Sequence, residues 1–225
     1  MNTSISGNNI TLAAVSAKTF VATNHQRSAS PDTYGITLST DVGTKRPVSM
    51  TLFSGNNVAV PFDMAAERNN GYDPIFNNTV RPLSTDTYQF LVTFSDGTTQ
   101  IMSNTGLTVL DSFAQTLAMN TPVNSTSLTP LTVPMLNWSA PASPPAFYNY
   151  SVGLNNINNA QENWNYNGGN NSNGIPSTQL NVMFNVDGSA NPSATLTTGT
   201  MYSWWVQVRD DNGNSAQISA PTYIP

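Results

Sequence analysis

Few residues in this chain have the types and spacing that chemistry requires. The single histidine, His25, stands between Asn24 and Gln26 in a polar stretch. As a metal ligand or the base of a Ser-His-Asp relay it would need a second group to orient the imidazole, and its sequence neighbours supply none. An exposed loop histidine is the expectation. Asp210, Asn212 and Asn214 alternate as do the first three oxygen ligands of a calcium loop. The pattern then breaks, because Ser215 stands where such a loop needs glycine and Pro221 where it needs a bidentate glutamate. With Gly213 among them, these residues predict a hairpin turn instead. Glycoside hydrolysis needs two carboxyls facing each other across a cleft. Glu67 and Glu162 are the only glutamates, far apart in the chain, and the other ten of the twelve acidic residues are aspartates, most of them in turn sequences. There is no cysteine, and no nucleophile elbow, phosphate loop or metal-binding histidine pair. The chain reads as non-enzymatic, with no catalytic residue, metal or cofactor.

The elements that must position any binding group are strands. In Leu196 to Ser215, the apolar Tyr202, Trp204, Val206 and Val208 alternate with Ser203, Gln207 and Arg209. That period of two marks a half-buried strand running into a turn. Trp205 alone breaks it; if Trp204 faces inward, Trp205 faces outward, since neighbouring side chains take opposite faces. A second copy of the pattern lies at Thr87 to Phe94, where Tyr88, Phe90, Val92 and Phe94 alternate before an Asp96-Gly97 turn.

Around these two strands the chain divides into shorter runs. Asn9 to Ala14 and Lys18 to Thr23 are candidate strands, followed by a polar loop from Asn24 to Pro31. Alternation then recurs at Tyr34, Ile36, Leu38, at Val48, Met50, Leu52 and at Val58, Val60, Phe62, with turn signals about ten residues apart. Met64 to Arg68 could form one helical turn, and Leu107 to Leu110 reads as the closing strand of the first half. The expected boundary is Asp111 to Ser112, giving domains 1–111 and 112–225, because one ordinary sandwich takes about 100 residues. In the second half, Leu136 and Trp138 share a strand face that Pro141 terminates.

Composition narrows the setting. Charged residues make up 8% of the chain and hydrophobic residues 38%, with four Trp, nine Phe and eight Tyr. There is enough apolar material for a core, while the surface is polar without charge. The net charge of −5 opposes nucleic-acid binding, which needs a basic footprint. No apolar run approaches the length of a membrane span. Such hydroxyl- and amide-rich, lysine-poor, cysteine-free chains resemble excreted bacterial surface and exoenzyme modules, and the resemblance implies an extracellular or cell-surface setting, with Met1 standing in for a removed signal. Few lysines and prolines guard the strands, so edge pairing between copies is open.

Trp138 in an early strand, Tyr150-Ser-Val152-Gly-Leu154 in the next, and Leu196 six residues before Tyr202 at the head of the Trp204 strand together resemble a fibronectin type III module. The resemblance implies that Trp138 packs in the core and that Leu196 and Tyr202 form a tyrosine corner. It covers the second half only. In the first half Leu83 stands five residues before Tyr88 and no Trp occurs, so that half reads as Ig-like without a family. The expected fold is therefore all-β, two tandem β-sandwiches of Ig-like and fibronectin type III-like kind. In a fibronectin-like sheet the strand beside Trp205 would be Phe147 to Leu154, whose outward Asn149, Ser151 and Gly153 are small. The Asn-rich stretch Asn155 to Asn173 reads as a long loop or irregular hairpin bringing Trp164 and Tyr166 near Trp205. These aromatics either cap Trp205 or join it in a flat platform on which sugar rings stack. The functional expectation is a structural spacer or adhesion segment whose partners are other domains of a surface protein. The alternative is a carbohydrate-binding accessory module of an extracellular enzyme, with Trp164, Tyr166 and Trp205 as ligand-binding residues and polysaccharide as partner.

Overall fold

Alternation of apolar and polar side chains becomes strand after strand in the computed structural model, which describes residues 18–27, 31–41, 47–63, 75–120, 132–168, 174–191, 194–220 and 222–225. The described residues are all-β. In chain order the strands are β1 (Lys18–Arg27), β2 (Thr33–Asp41), β3 (Pro47–Gly55), β4 (Phe62–Asp63) and β5 (Ile75–Asn78). Next come β6 (Thr87–Phe94), β7 (Thr99–Thr105), β8 (Gln115–Asn120), β9 (Met135–Ser139) and β10 (Tyr148–Asn156). The last five are β11 (Asn159–Tyr166), β12 (Ile175–Pro176), β13 (Asn181–Met183), β14 (Tyr202–Asp210) and β15 (Ser215–Ser219). The expected Asn9–Ala14 strand and the Met64–Arg68 helical turn lie outside the described residues. Leu107 to Leu110 is not a strand, although Leu107 and Leu110 are both buried.

Two compact units emerge, neither of them a continuous half of the chain. One comprises Met1–Val21, Leu38–Pro74 and Thr87–Thr105; the other comprises Ala22–Thr37, Ile75–Asp86 and Gly106–Pro225. The boundary expected at Asp111 to Ser112 therefore falls inside the second unit. The reason is a pairing that no local periodicity announces: β1 runs parallel to β15, with Asn24 opposite Ser215 and Arg27 opposite Ile218.

In the first unit β4, β3, β6 and β7 form a sheet in that order. Its inner face is Met50 and Leu52 of β3, Tyr88, Phe90, Val92 and Phe94 of β6, and Met102 of β7, all buried. The β6–β7 hairpin closes as a type I turn followed by Gly97 at φ +80°, a position where a Cβ would be strained. Asp96 fixes it by accepting from the Thr98 N–H at 3.0 Å.

The second unit faces a three-stranded sheet, β13-β9-β8, with a larger one ordered β11-β10-β14-β15-β1-β2-β5, to which β12 adds on β10. Leu136 and Trp138 from the small sheet meet Tyr150, Val152, Leu154, Tyr202, Trp204, Val206 and Val208 from the large one in a single buried cluster. The Trp138 and Tyr150 rings pack edge to face at 5.3 Å. Burying each of the larger side chains contributes about 1.5–3 kcal/mol, so these inward rows of β10 and β14 dominate the stability of the unit. The β14–β15 hairpin repeats the β6–β7 turn, with Gly213 at φ +82°.

Candidate functional site

Among the described residues, three clusters of polar and ionisable groups stand out in the second unit. His25, at 2% exposure, is neither exposed nor in a loop. It lies on the inward side of β1, as the Thr23, His25 alternation places it, and the expectation of a solvated loop is corrected. Its Nδ1 stands 2.8 Å from Asp111 Oδ1 and its Nε2 2.9 Å from Asp32 Oδ2. Each ring nitrogen thus has a carboxylate oxygen within hydrogen-bond distance. Tyr34 stacks on the ring at 4.5 Å and Phe113 meets it edge-on at 4.7 Å. Arg81 grips Asp111 with two parallel N–H bonds of 2.9 and 2.7 Å, while Arg27 lies 3.5 Å from Asp32 and over the Phe113 ring. The Arg81 hydrogen bond, then its charge and His25, hold the Asp111 carboxyl below the usual carboxylate range against some desolvation. His25, with Arg27, does the same for Asp32. Both imidazole nitrogens are engaged by carboxylates, so neither is placed to take a proton from a nucleophile. Sequence missed this cluster because Asp111 and Arg81 lie 86 and 56 positions from His25, brought in by pairings that no local pattern encodes.

The calcium-like run is a turn, as its residues suggested. Asp210 Oδ1 accepts from the Asn212 and Asn214 N–H groups at 2.9 and 2.8 Å, and Asp210 Oδ2 accepts from the Asn214 amide at 3.0 Å. Asn214 in turn accepts from the Thr23 N–H at 3.1 Å, tying the hairpin to β1. The side-chain oxygens of Asp210 and Asn214 are thus turned to N–H groups. Among the described residues no three His, Cys, Asp or Glu side chains cluster as metal ligands would.

Glu162 accepts from the Tyr202 hydroxyl and from the Asn156 amide. The same Tyr202 oxygen accepts the Thr197 N–H at 3.0 Å, and Leu196 beside it is buried. Burial, reinforced by Glu162, pushes the Tyr202 phenol above its ordinary value. The adjoining dent, lined by Leu154, Glu162, Phe184 and Leu196 among others, has room for about one water molecule. It is too small for a sugar.

The three aromatics expected to bind ligand are not brought together. Trp205 faces outward and is part exposed, whereas Trp204 beside it is buried. Trp164 and Tyr166 lie on β11, paired opposite Leu154 and Val152 of β10, and so point to the inner face. Trp164 is 1% exposed, packs against Phe184 at 5.3 Å, and donates its indole N–H to Asp187 at 2.8 Å. A platform of all three is thereby corrected, as is a cap of Trp164 and Tyr166 over Trp205. What covers one side of Trp205 is the sheet itself. Gly153 pairs directly with it, and a Cβ at Gly153 would stand 2.2 Å from the indole Cζ2.

The sequence matches no protein-family model, and no curated protein matches it either.

Proposed function

We propose that the chain is a non-catalytic β-sandwich segment of an excreted or cell-surface bacterial protein, serving as a structural spacer or adhesion module, with other domains of that protein as its partners. One observation carries the reading: the ionisable groups best placed for chemistry are cross-links within the fold. His25, Asp32, Asp111 and Arg81 bind one another, Glu162 binds Tyr202 and Asn156, and Asp210 closes a turn. Groups committed this way hold distant segments of the chain together, with the His25 imidazole buried among them. The polar but weakly charged composition supports the extracellular setting. Among the described residues no helix is long and apolar enough to cross a membrane.

A fibronectin type III-like second half belongs to the same proposal. What supports it is a three-stranded sheet β13-β9-β8 opposite β11-β10-β14-β15, a buried Trp138 on β9, and the Tyr202 hydroxyl reaching back to the Thr197 N–H. A second reading, a carbohydrate-binding accessory module of an extracellular enzyme, is favoured by one feature, the outward Trp205 seated over Gly153. The test of the main reading is a panel of chromogenic esters, phosphates and glycosides. No turnover is expected; turnover that disappears in Glu162→Gln or His25→Asn would overturn it.

A further inference from the structure

We infer that the outer face of the large sheet around Trp205 binds extended chains of neutral polysaccharide. The inference rests on the second reading above and gives it a place on the molecule. Two rows of side chains cross this face from strand to strand. One runs Asn165, Gly153, Trp205, Ser219 over β11, β10, β14 and β15. The next runs Ser151, Gln207, Gln217, Gln26 over β10, β14, β15 and β1.

The first row holds the ring. Gly153 has no side chain, so the indole of Trp205 settles onto the backbone there; a Cβ would collide with Cζ2 at 2.2 Å, Cε2 at 2.3 Å and the Asn165 Oδ1 at 2.6 Å. Trp205 stays part exposed, so it is anchored by the sheet on one side while still reachable from solvent. The second row supplies polar groups already turned. The Ser151 hydroxyl donates to Gln207 Oε1 at 3.2 Å, and the Thr33 hydroxyl donates to Gln26 Oε1 at 3.5 Å. In both glutamines the contact engages the amide oxygen and not the NH₂ group, which is the donor a hydroxyl oxygen needs.

The chemistry of the rows selects the occupant. Neither row contains a charged residue, Arg209 standing two residues beyond Gln207 on β14, in the row that follows. An anionic or cationic ligand finds no line of counter-charges there. A protein partner would meet one ring among amides rather than the apolar centre that protein interfaces have. A pyranose offers an apolar C–H face for the indole and hydroxyls for the amides, matching both rows at once. Strands lie about 4.8 Å apart, so the four-residue row repeats its amides and hydroxyl along roughly 14 Å. That spacing favours a chain laid across the strands over a single sugar.

The test is affinity electrophoresis of the full chain in gels containing a soluble mixed-linkage β-glucan, a galactomannan or a soluble α-glucan, with polygalacturonate as the anionic comparison. Tryptophan fluorescence titration with the same polymers gives the affinity. Retardation by at least one neutral polymer is expected, weakened by at least about tenfold in Trp205→Ala. The same loss is expected in Gln207→Leu, which keeps the strand and its packing and so reports on binding should Trp205→Ala fold poorly. Retardation by no neutral polymer, by polygalacturonate alone, or undiminished in both variants overturns the inference. Depolymerisation of a retained polymer would instead overturn the non-catalytic reading while leaving the surface in place.

Discussion

Replacing Gly153 with alanine tests how Trp205 is seated. The new methyl would lie 2.2 and 2.3 Å from two indole carbons and 2.6 Å from the Asn165 side-chain oxygen, well inside the roughly 3.5–4.0 Å at which carbon atoms pack. Gly153 is buried in β10, paired to Asn165 of β11 on one side and to Trp205 of β14 on the other. The backbone cannot retreat, so the indole must lift by roughly 1 Å or more. Overpacking of this kind costs about 1–3 kcal/mol. The reduced freedom of alanine in the unfolded chain returns about 0.4–1 kcal/mol. A net loss of about 1–2 kcal/mol follows, measurable in urea melts of the second unit, together with a red shift of tryptophan emission as the ring leaves the sheet. Because the two closest contacts are with the ring, most of the loss should vanish in the Trp205→Ala background, the Asn165 contact accounting for the remainder, giving a coupling of about 1 kcal/mol or more in the double-mutant cycle. Wild-type stability and emission in Gly153→Ala, or a penalty undiminished without the indole, would refute the seating.

Trp164→Ala and Trp204→Ala should each cost about 3–5 kcal/mol in denaturant melts, as large-to-small core changes do; a loss below about 1 kcal/mol at Trp164 would return that ring to the surface. Tyr202→Phe removes the hydroxyl that joins Thr197 to Glu162 and should cost about 1–3 kcal/mol in the same melts. Asp111 has its pKa lowered in the fold, so its stabilising contribution is present above the unfolded carboxyl value of about 3.9 and is lost as pH falls through the lower folded value. Wild type should therefore be more stable than Asp111→Asn at neutral pH, and the gap measured by chemical denaturation should close as the pH drops below about 4.

The strands were legible where one face is buried and the other solvated. Tyr88, Phe90, Val92 and Phe94, and again Tyr202, Trp204, Val206 and Val208, all turn inward as their spacing requires. The same rule placed Trp205 outward and set Asn149, Ser151 and Gly153 beside it on β10, and their partners are indeed Arg209, Gln207 and Trp205. Trp164 was misplaced because composition overrode period. Asparagine is depleted in strands, and an Asn-rich stretch reads as loop, yet Glu162, Trp164 and Tyr166 alternate with Asn163, Asn165 and Asn167 as a half-buried strand does. The parallel pairing of β1 with β15 and the carboxylates around His25 left no such trace. They depend on contacts between segments distant in the chain, and spacing along one sequence carries no record of those.

The central claim is that the groups most able to react are instead holding the fold together, and His25 tests it most directly. Removing the imidazole in His25→Ala deletes two bonds to carboxylates, the stack on Tyr34 and the edge contact with Phe113. Hydrogen bonds to charged groups contribute about 1.5–3 kcal/mol when buried, less here because Asp32 and Asp111 are 29% and 54% exposed. With a buried cavity added, the expected loss in urea denaturation is about 3 kcal/mol. A loss below about 1 kcal/mol would contradict the account, since a buried imidazole that the fold does not need would be free for chemistry.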